Sequence, residues 1–151
     1  MDSVLRLLRI LALLMPVMAA CTTPLRVDTP GPGVPRVTEV RLNRDRVVGG
    51  CPVTMTVAFE DTDRDVARVI VSLRLQNGKT SLQSFQVPVV WAPDASATPW
   101  RGEASVQLQP EAYTRHWYRV QVEDARGHRS NVLREILLVD GPLPWRQQRC
   151  D

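Results

Sequence analysis

The stretch VTMTVAF, residues 53–59, decides the fold class because large apolar residues alternate along it with smaller or polar ones. Successive side chains of a β-strand point to opposite sides, so Val53, Met55, Val57 and Phe59 share one face. A helix would need apolar residues every three to four positions, and this stretch lacks that spacing. It therefore predicts a strand that is buried on one face.

The same alternation recurs on both sides of this stretch, and turn signals such as Asn77-Gly78 and Gly127 separate the repeats. No run longer than about one turn shows helical periodicity, so the domain is predicted to be all-β. Pro88 marks one stretch as an edge or bulged strand. Six further strands are predicted: VTEVRL (37–42), VIVSLRL (69–75), FQVPVVW (85–91), ASVQLQ (104–109), WYRVQV (117–122) and NVLREILLV (131–139). Seven half-buried strands over residues 36–141 predict a two-sheet sandwich.

The segment YRVQVEDARGHRSN, residues 118–131, resembles the F strand, the following turn and the start of the G strand in bacterial Ig-like and fibronectin type III-like domains. Those domains often carry a Y-x-V-x-V-x-D-x-x-G-x-x-S pattern. Residues 59–69, FEDTDRDVARV, similarly resemble the B–C segment of such domains. The pattern is matched by Tyr118, Val120, Val122, Asp124, Gly127 and Ser130. The resemblance implies a seven-stranded Ig-like β-sandwich.

The N-terminal segment, residues 1–20, is typical of a cleaved secretory signal peptide. Arg6 and Arg9 supply positive charge, and an apolar run of 11 residues follows from Ile10 to Ala20. A membrane-spanning helix needs about 20 such residues, so this run is not an anchor by itself. The sequence Met18-Ala19-Ala20-Cys21 then resembles the lipobox of bacterial lipoproteins.

This resemblance implies that the Cys21 thiol receives a diacylglycerol and that cleavage leaves Cys21 as the acylated N-terminus. Such acyl chains hold a protein at a membrane. The residue after the cysteine is Thr22 and not Asp, and this resembles the signal for sorting to the outer membrane. The predicted location is therefore the bacterial outer membrane, with the domain facing the periplasm or the cell surface.

The other two cysteines, Cys51 and Cys150, are then left to form a disulfide in an oxidising compartment. In a seven-stranded sandwich Cys51 opens the second strand and Cys150 follows the last one, so both lie at the same pole. Residues 21–35 hold four prolines and two glycines after the lipidated cysteine, and they predict an extended, solvated tether. Residues 142–151 form a proline-broken C-terminal tail.

The charge composition gives little support to nucleic-acid binding or catalysis. The chain has 19 basic and 16 acidic residues, and its arginines are scattered along the sequence with acidic residues between them. A nucleic-acid binder gathers its basic residues on one face, so no nucleic-acid partner is expected. Only His116 and His128 are candidate bases near neutral pH, and no GxSxG motif is present. The chain is therefore predicted not to be an enzyme.

Two groups of residues are candidates for binding. Asp61, Asp63 and Asp65 alternate in a loop and offer the oxygen ligands that Ca²⁺ prefers, so calcium is a possible cofactor. The alternative is a solvated acidic turn that neighbouring arginines partly neutralise. Trp91, Trp100 and Trp117 form the second group, since exposed tryptophans on a β-face stack on sugars or mark a protein contact. The alternative for these rings is that they cover sheet edges and loops.

Together these observations predict a membrane-anchored lipoprotein that acts as a non-catalytic binding or scaffolding accessory in the bacterial cell envelope. Its expected partners are the membrane, through the N-terminal lipid, and envelope proteins. Two alternatives stay open. One is a glycan- or peptidoglycan-binding module that uses the tryptophans. The other is a calcium-stabilised adhesion-type domain.

Overall fold

The computed structural model describes residues 25–93, 98–111, 113–141 and 150, and within these ranges every regular element is a strand. No helix among the described residues is long and apolar enough to span a membrane. The strands are β1 (Arg36–Leu42), β2 (Arg46–Val48), β3 (Val53–Asp61), β4 (Val66–Leu75), β5 (Thr80–Gln86), β6 (Val89–Trp91), β7 (Trp100–Leu108), β8 (Arg115–Asp124) and β9 (Leu133–Asp140).

The strands form two sheets that pack face to face. The four-stranded sheet has the order β1-β3-β7-β6, and the five-stranded sheet has the order β2-β9-β8-β4-β5. Neighbouring strands are antiparallel except for β2 and β9, which run parallel. This division of strands between the sheets is that of an immunoglobulin-like sandwich. The all-β, Ig-like prediction is confirmed.

The predicted number of seven strands is wrong, because the described residues form nine. The stretch FQVPVVW contains two strands, since β5 ends at Gln86 in the five-stranded sheet and β6 starts at Val89 in the four-stranded sheet. Pro88 lies between them and has no N–H to donate to a ladder, so the chain changes sheets at this residue. The second added strand, β2, has only three residues and is too short to show a periodicity.

The core lies between the two sheets and is built by the alternation seen in the sequence. Along β3 every second residue is buried, and Val53, Met55 and Val57 are fully inaccessible to solvent. The five-stranded sheet contributes Val71, Val120 and other apolar residues of β4, β8 and β9. Burial of such side chains contributes roughly 1.5–3 kcal/mol each, so this layer supplies most of the driving force for folding.

The sandwich has two poles with different contents. Cys51 and Cys150 are joined at one pole with a Cα–Cα distance of 5.3 Å, which confirms the predicted disulfide. We call this end the disulfide pole. The turn after β3 and the turn after β8 meet at the opposite end, where the Ala125 amide donates to the Asp65 carbonyl at 2.9 Å. We call this second end the tether pole because the N-terminal segment arrives there.

The predicted solvated tether needs a correction over its described part, residues 25–35. The Gly33 amide donates to Thr62 Oγ1 at 2.9 Å, and the Asp28 amide donates to the Arg129 carbonyl at 3.2 Å. Buried polar groups require hydrogen-bond partners, and the sandwich supplies these to the segment. Residues 25–35 are therefore docked on the domain. The lipobox with Cys21, residues 22–24 of the tether and most of the C-terminal tail lie outside the described residues.

Candidate functional site

The outer face of the five-stranded sheet carries an unusual set of side chains along β8. His116, Tyr118 and Val120 are buried toward the core. Because side chains alternate along a strand, Arg115, Trp117 and Arg119 point the other way, out of the sandwich. Trp117 therefore lies on the face opposite Tyr118.

The strands on either side of β8 add two more arginines to this face. In the sheet register Arg74 of β4 lies beside Trp117, and Arg134 of β9 lies directly opposite Arg119. Like charges that face each other across strands destabilise a sheet. All four arginines are exposed, and the ion pairs found among the described residues involve other arginines. Four unneutralised positive charges therefore surround one half-buried indole ring.

Apolar side chains complete this surface. Leu82 of β5 is 58% exposed, and Ile136 and Leu138 of β9 are 46% and 38% exposed. The combination of arginine, tryptophan and exposed aliphatic side chains is typical of surfaces that bind a partner. The set Arg74, Leu82, Arg115, Trp117, Arg119, Arg134, Ile136 and Leu138 is called the arginine–tryptophan face below.

The same side of the sheet is closed toward the tether pole. Ile70 and Gln121 point outward by register, yet they are only 3% and 0% exposed. Gln121 Nε2 donates to the Arg26 carbonyl of the docked tether at 2.7 Å and to the Ser130 carbonyl at 2.8 Å. The tether thus covers one half of the outer face and leaves the arginine–tryptophan face open.

Glu123, which follows Gln121 on the same side of β8, is already neutralised. Glu123 is buried and forms ion pairs with Arg68 at 3.1 Å and with Arg129 at 2.7 Å. Its charge is therefore balanced within the covered half of the face. The open half keeps its positive potential.

The tryptophans Trp91 and Trp100 lie on the four-stranded sheet, away from Trp117. The Arg64 guanidinium carbon lies 5.6 Å from the Trp91 ring centroid and 4.9 Å from the Trp100 ring centroid. Trp91 also packs edge-to-face on Phe59 with a centroid distance of 5.6 Å. These two rings, at the ends of the loop that joins β6 to β7, thus hold Arg64 through cation–π contacts. A cleft of about 530 Å³ opens beside Trp91, and residues 94–97 of the loop lie outside the described residues.

The acidic turn uses its carboxylates for its own backbone. Asp61 is buried and accepts hydrogen bonds from the Asp63 amide at 3.3 Å and from the Asp65 amide at 2.8 Å. Asp63 forms an ion pair with Arg126 at 2.7 Å. Within residues 25–93, 98–111 and 113–141, no three acidic, His or Cys side chains come together in a way that could hold a metal ion. The carboxylates of Asp61 and Asp63, two of the three calcium ligands proposed from the sequence, are thus engaged in turn and ion-pair contacts.

Asp65 lies in a part of this turn that disfavours its ionised form. Burial raises its pKa, and the neighbouring carboxylates of Asp61 and Asp124 raise it further. Its Oδ1 atom is buried and has no hydrogen-bond partner among the described residues. The ion pair with Arg126 is long, at 3.6 Å.

Both histidines contact neighbouring side chains of the fold. His128 Nδ1 contacts the buried Asp124 Oδ2 at 2.8 Å, and this hydrogen bond is the main reason why the His128 pKa is raised. His116 is buried beside Tyr118, with 3.2 Å between Nδ1 and the hydroxyl. Burial raises the pKa of Tyr118 to about 12. Ser130, which is close to His128 in sequence, donates its hydroxyl to the Asn131 carbonyl.

Sequence reasoning missed the arginine–tryptophan face because it judged the arginines by their spacing along the chain. They are scattered in sequence, but the register gathers four of them on one side of a sheet. The stretch RHWYR, residues 115–119, carried the signal, since its alternation puts two arginines and a tryptophan on one face. The strand pairing brings Arg74 and Arg134 to this face, so their positions could not be predicted from the local sequence.

Comparison with known proteins finds matches among solved structures. No protein-family model and no curated protein matches the chain. Among solved structures, the vertebrate-specific, perforin-like membrane protein astrotactin-2 is 17% identical with a TM-score of 0.48, over 72% of this chain and 22% of that one. The PKD domain of an M14-like peptidase from a Thermoplasmatales archaeon is 13% identical with a TM-score of 0.43, over 75% and 99%. The CARDB domain of a Pyrococcus furiosus protein, in complex with di-metal ions, is 10% identical with a TM-score of 0.38, over 74% and 94%.

Proposed function

We propose that this protein is a lipid-anchored, non-catalytic binding accessory of the bacterial cell envelope, placed at the outer membrane by a lipid on Cys21. The lipobox-like sequence Met18-Ala19-Ala20-Cys21 supports the anchor. The disulfide supports it as well, because two of the three cysteines pair with each other and Cys21 is left for another role. A disulfide also agrees with an oxidising compartment.

The observation that carries the binding role is the arginine–tryptophan face. Arg119 and Arg134 lie opposite each other and form no ion pair with an acidic side chain of the described residues, which costs stability that an acidic partner would offset. Trp117 and the exposed aliphatic residues add apolar contact area beside the charges. The proposed partner is therefore an acidic component of the envelope.

Two measurements test this proposal. Mass spectrometry of the mature N-terminus is expected to find Cys21 acylated, and an unmodified Cys21 would overturn the anchor. Pull-down from detergent-solubilised membranes is expected to recover an envelope component with the wild-type protein and to lose it with Arg119→Glu. The matched control is Arg36→Glu, which changes the charge equally on the four-stranded sheet. Equal recovery with both variants would contradict the role of the face.

A further inference from the structure

The docked tether and the arginine–tryptophan face lie on the same side of the sandwich, and the tether runs toward that face. Asp28 lies beside Arg129, to whose carbonyl its amide donates. Two residues earlier in the chain, the Arg26 carbonyl accepts a hydrogen bond from the Gln121 side chain. Toward its N-terminus the tether therefore runs along β8 in the direction of Arg119. Arg119 is two residues from Gln121 on the same face, which is about 7 Å along a strand.

The chain length between this point and the lipid is short. Cys21 precedes Leu25 by four residues, and four fully extended residues span at most about 14 Å. A solvated tether starting at residue 22 would have held the domain far from the membrane. With residues 25–35 docked, the acyl chains have to enter the bilayer close to the outer face of the five-stranded sheet.

We propose that the arginine–tryptophan face lies against the membrane that holds the lipid anchor, and that it binds the phosphate groups of anionic phospholipids. This inference rests on the proposed lipidation of Cys21. Arginine binds phosphate with its planar set of N–H donors, and basic residues near an anionic surface strengthen attachment. Tryptophan suits the same position, because its ring settles at the level of the lipid headgroups. The exposed side chains of Ile136 and Leu138 reach the same boundary.

Charge complementarity favours this occupant. None of the ion pairs among the described residues involves the four arginines of this face, and the anionic headgroups of a bilayer form an extended surface that can contact all four at once. Two further arginines on this side, Arg68 and Arg129, are paired with Glu123. The geometry thus concentrates free positive charge on the part of the sheet nearest to the anchor.

The test uses the full-length lipidated protein in two kinds of vesicle. One kind contains phosphatidylcholine alone, the other contains phosphatidylcholine with phosphatidylglycerol, and both contain a lipid brominated near the headgroup. The fluorescence of Trp117 is taken as the difference between the wild-type protein and Trp117→Phe. We expect bromine quenching of Trp117 in the anionic vesicles, weaker quenching in the neutral ones, and release of the quenching by salt.

The double variant Arg119→Ala/Arg134→Ala is expected to reduce quenching in the anionic vesicles to the level of the neutral ones. Both side chains are exposed and repel each other, so folding is expected to be intact. The control is Arg36→Ala/Arg101→Ala, which removes the same charge from the four-stranded sheet and should leave quenching unchanged.

Three outcomes would overturn the inference. Equal quenching of Trp117 in both vesicle types would show that the face does not bind anionic lipid. Recovery of a stoichiometric acidic protein that only the Arg119→Ala/Arg134→Ala variant loses, without quenching, would assign the face to that protein. Both results leave the proposed function standing if Cys21 is acylated. An unmodified Cys21 would overturn the anchor and this inference together.

Discussion

Asp65 carries an ionised carboxylate in a position that disfavours the charge. Its pKa is raised, so the stability that its protonation provides is present at low pH and is lost as the pH rises through the folded-state pKa. At neutral pH the charged form is therefore a cost. We expect Asp65→Asn to raise the melting temperature by a few degrees at pH 7 and to have less effect near pH 4, as measured by thermal unfolding in EDTA.

The matched control for this substitution is Asp63→Asn. Asp63 is exposed and forms the short ion pair with Arg126, so its neutralisation should give no gain in stability. Repeating the measurement with calcium tests the alternative role of the turn. A rise in the wild-type melting temperature on adding calcium, lost in Asp65→Asn, would show that Asp65 is a metal ligand.

Gly102 on β7 permits the close approach of two aromatic rings. A Cβ at this position would lie 2.8 Å from Phe59 Cε2 and 3.0 Å from Trp91 Cε3. Forcing an extra carbon into a packed site costs about 1–3 kcal/mol, because the rings have to leave their positions. We expect Gly102→Ala to lower the free energy of unfolding by that amount in urea titrations. Gly141→Ala is the control, since a Cβ there meets no atom of the described residues within 4 Å, and an equal effect of both would contradict this account.

At the scale of elements, two groups with pKa values shifted in opposite directions take part in the docking of the tether. The backbone amide of Arg129 lowers the pKa of Asp28, and Asp124 raises the pKa of His128, which the Gly33 carbonyl also supports. The Asp28 contribution is present above about pH 4 and is lost as the pH falls. The His128 contribution is complete below about pH 6.5 and is lost as the pH rises through its raised pKa.

We therefore expect the tether to be held most firmly between about pH 4 and pH 6.5. The readout is hydrogen exchange of the Asp28 amide, corrected for its intrinsic rate, because this amide donates to Arg129 across the contact. Protection should fall above the window in the wild-type protein. His128→Ala should have lower protection inside the window and no further alkaline loss. Protection that does not change across the whole range would contradict the role of His128.

The strands show what periodicity can and cannot predict. The alternation at residues 53–59 identified β3 correctly, because one face of that strand is buried and the other is not. Alternation over residues 85–91 predicted a single strand there, because the pattern continues through Pro88 while the chain passes to the other sheet. The arginine–tryptophan face was unpredictable as a whole, since it depends on which strands are neighbours. Local patterns contain no information on that pairing.

At the scale of the whole molecule, the disulfide closes a loop with a sequence separation of 99 residues. Such a bond restricts the unfolded chain, and for a loop of this size it contributes about 4.7 kcal/mol. We expect Cys51→Ser/Cys150→Ser to lower the free energy of unfolding by about this amount. Urea titration of the double variant, beside the wild-type protein with and without reductant, provides the measurement. A reduced wild type that is as stable as the oxidised one would contradict the prediction.

The same bond determines how the protein would carry a mechanical load. The covalent path for a force applied between the N-terminal segment and Cys150 runs through the sulfur atoms to Cys51, so the backbone of β3 to β9 lies outside it. These strands feel the force only through the hydrogen bonds of β3 with β1 and of β9 with β2. Only the chain from Leu25 to Cys51 can be drawn out, which limits the extension to about 90 Å. Tension would thus draw out β1 and β2 together with Val37, Val40 and Val47 of the core, and the extension would end at Cys51.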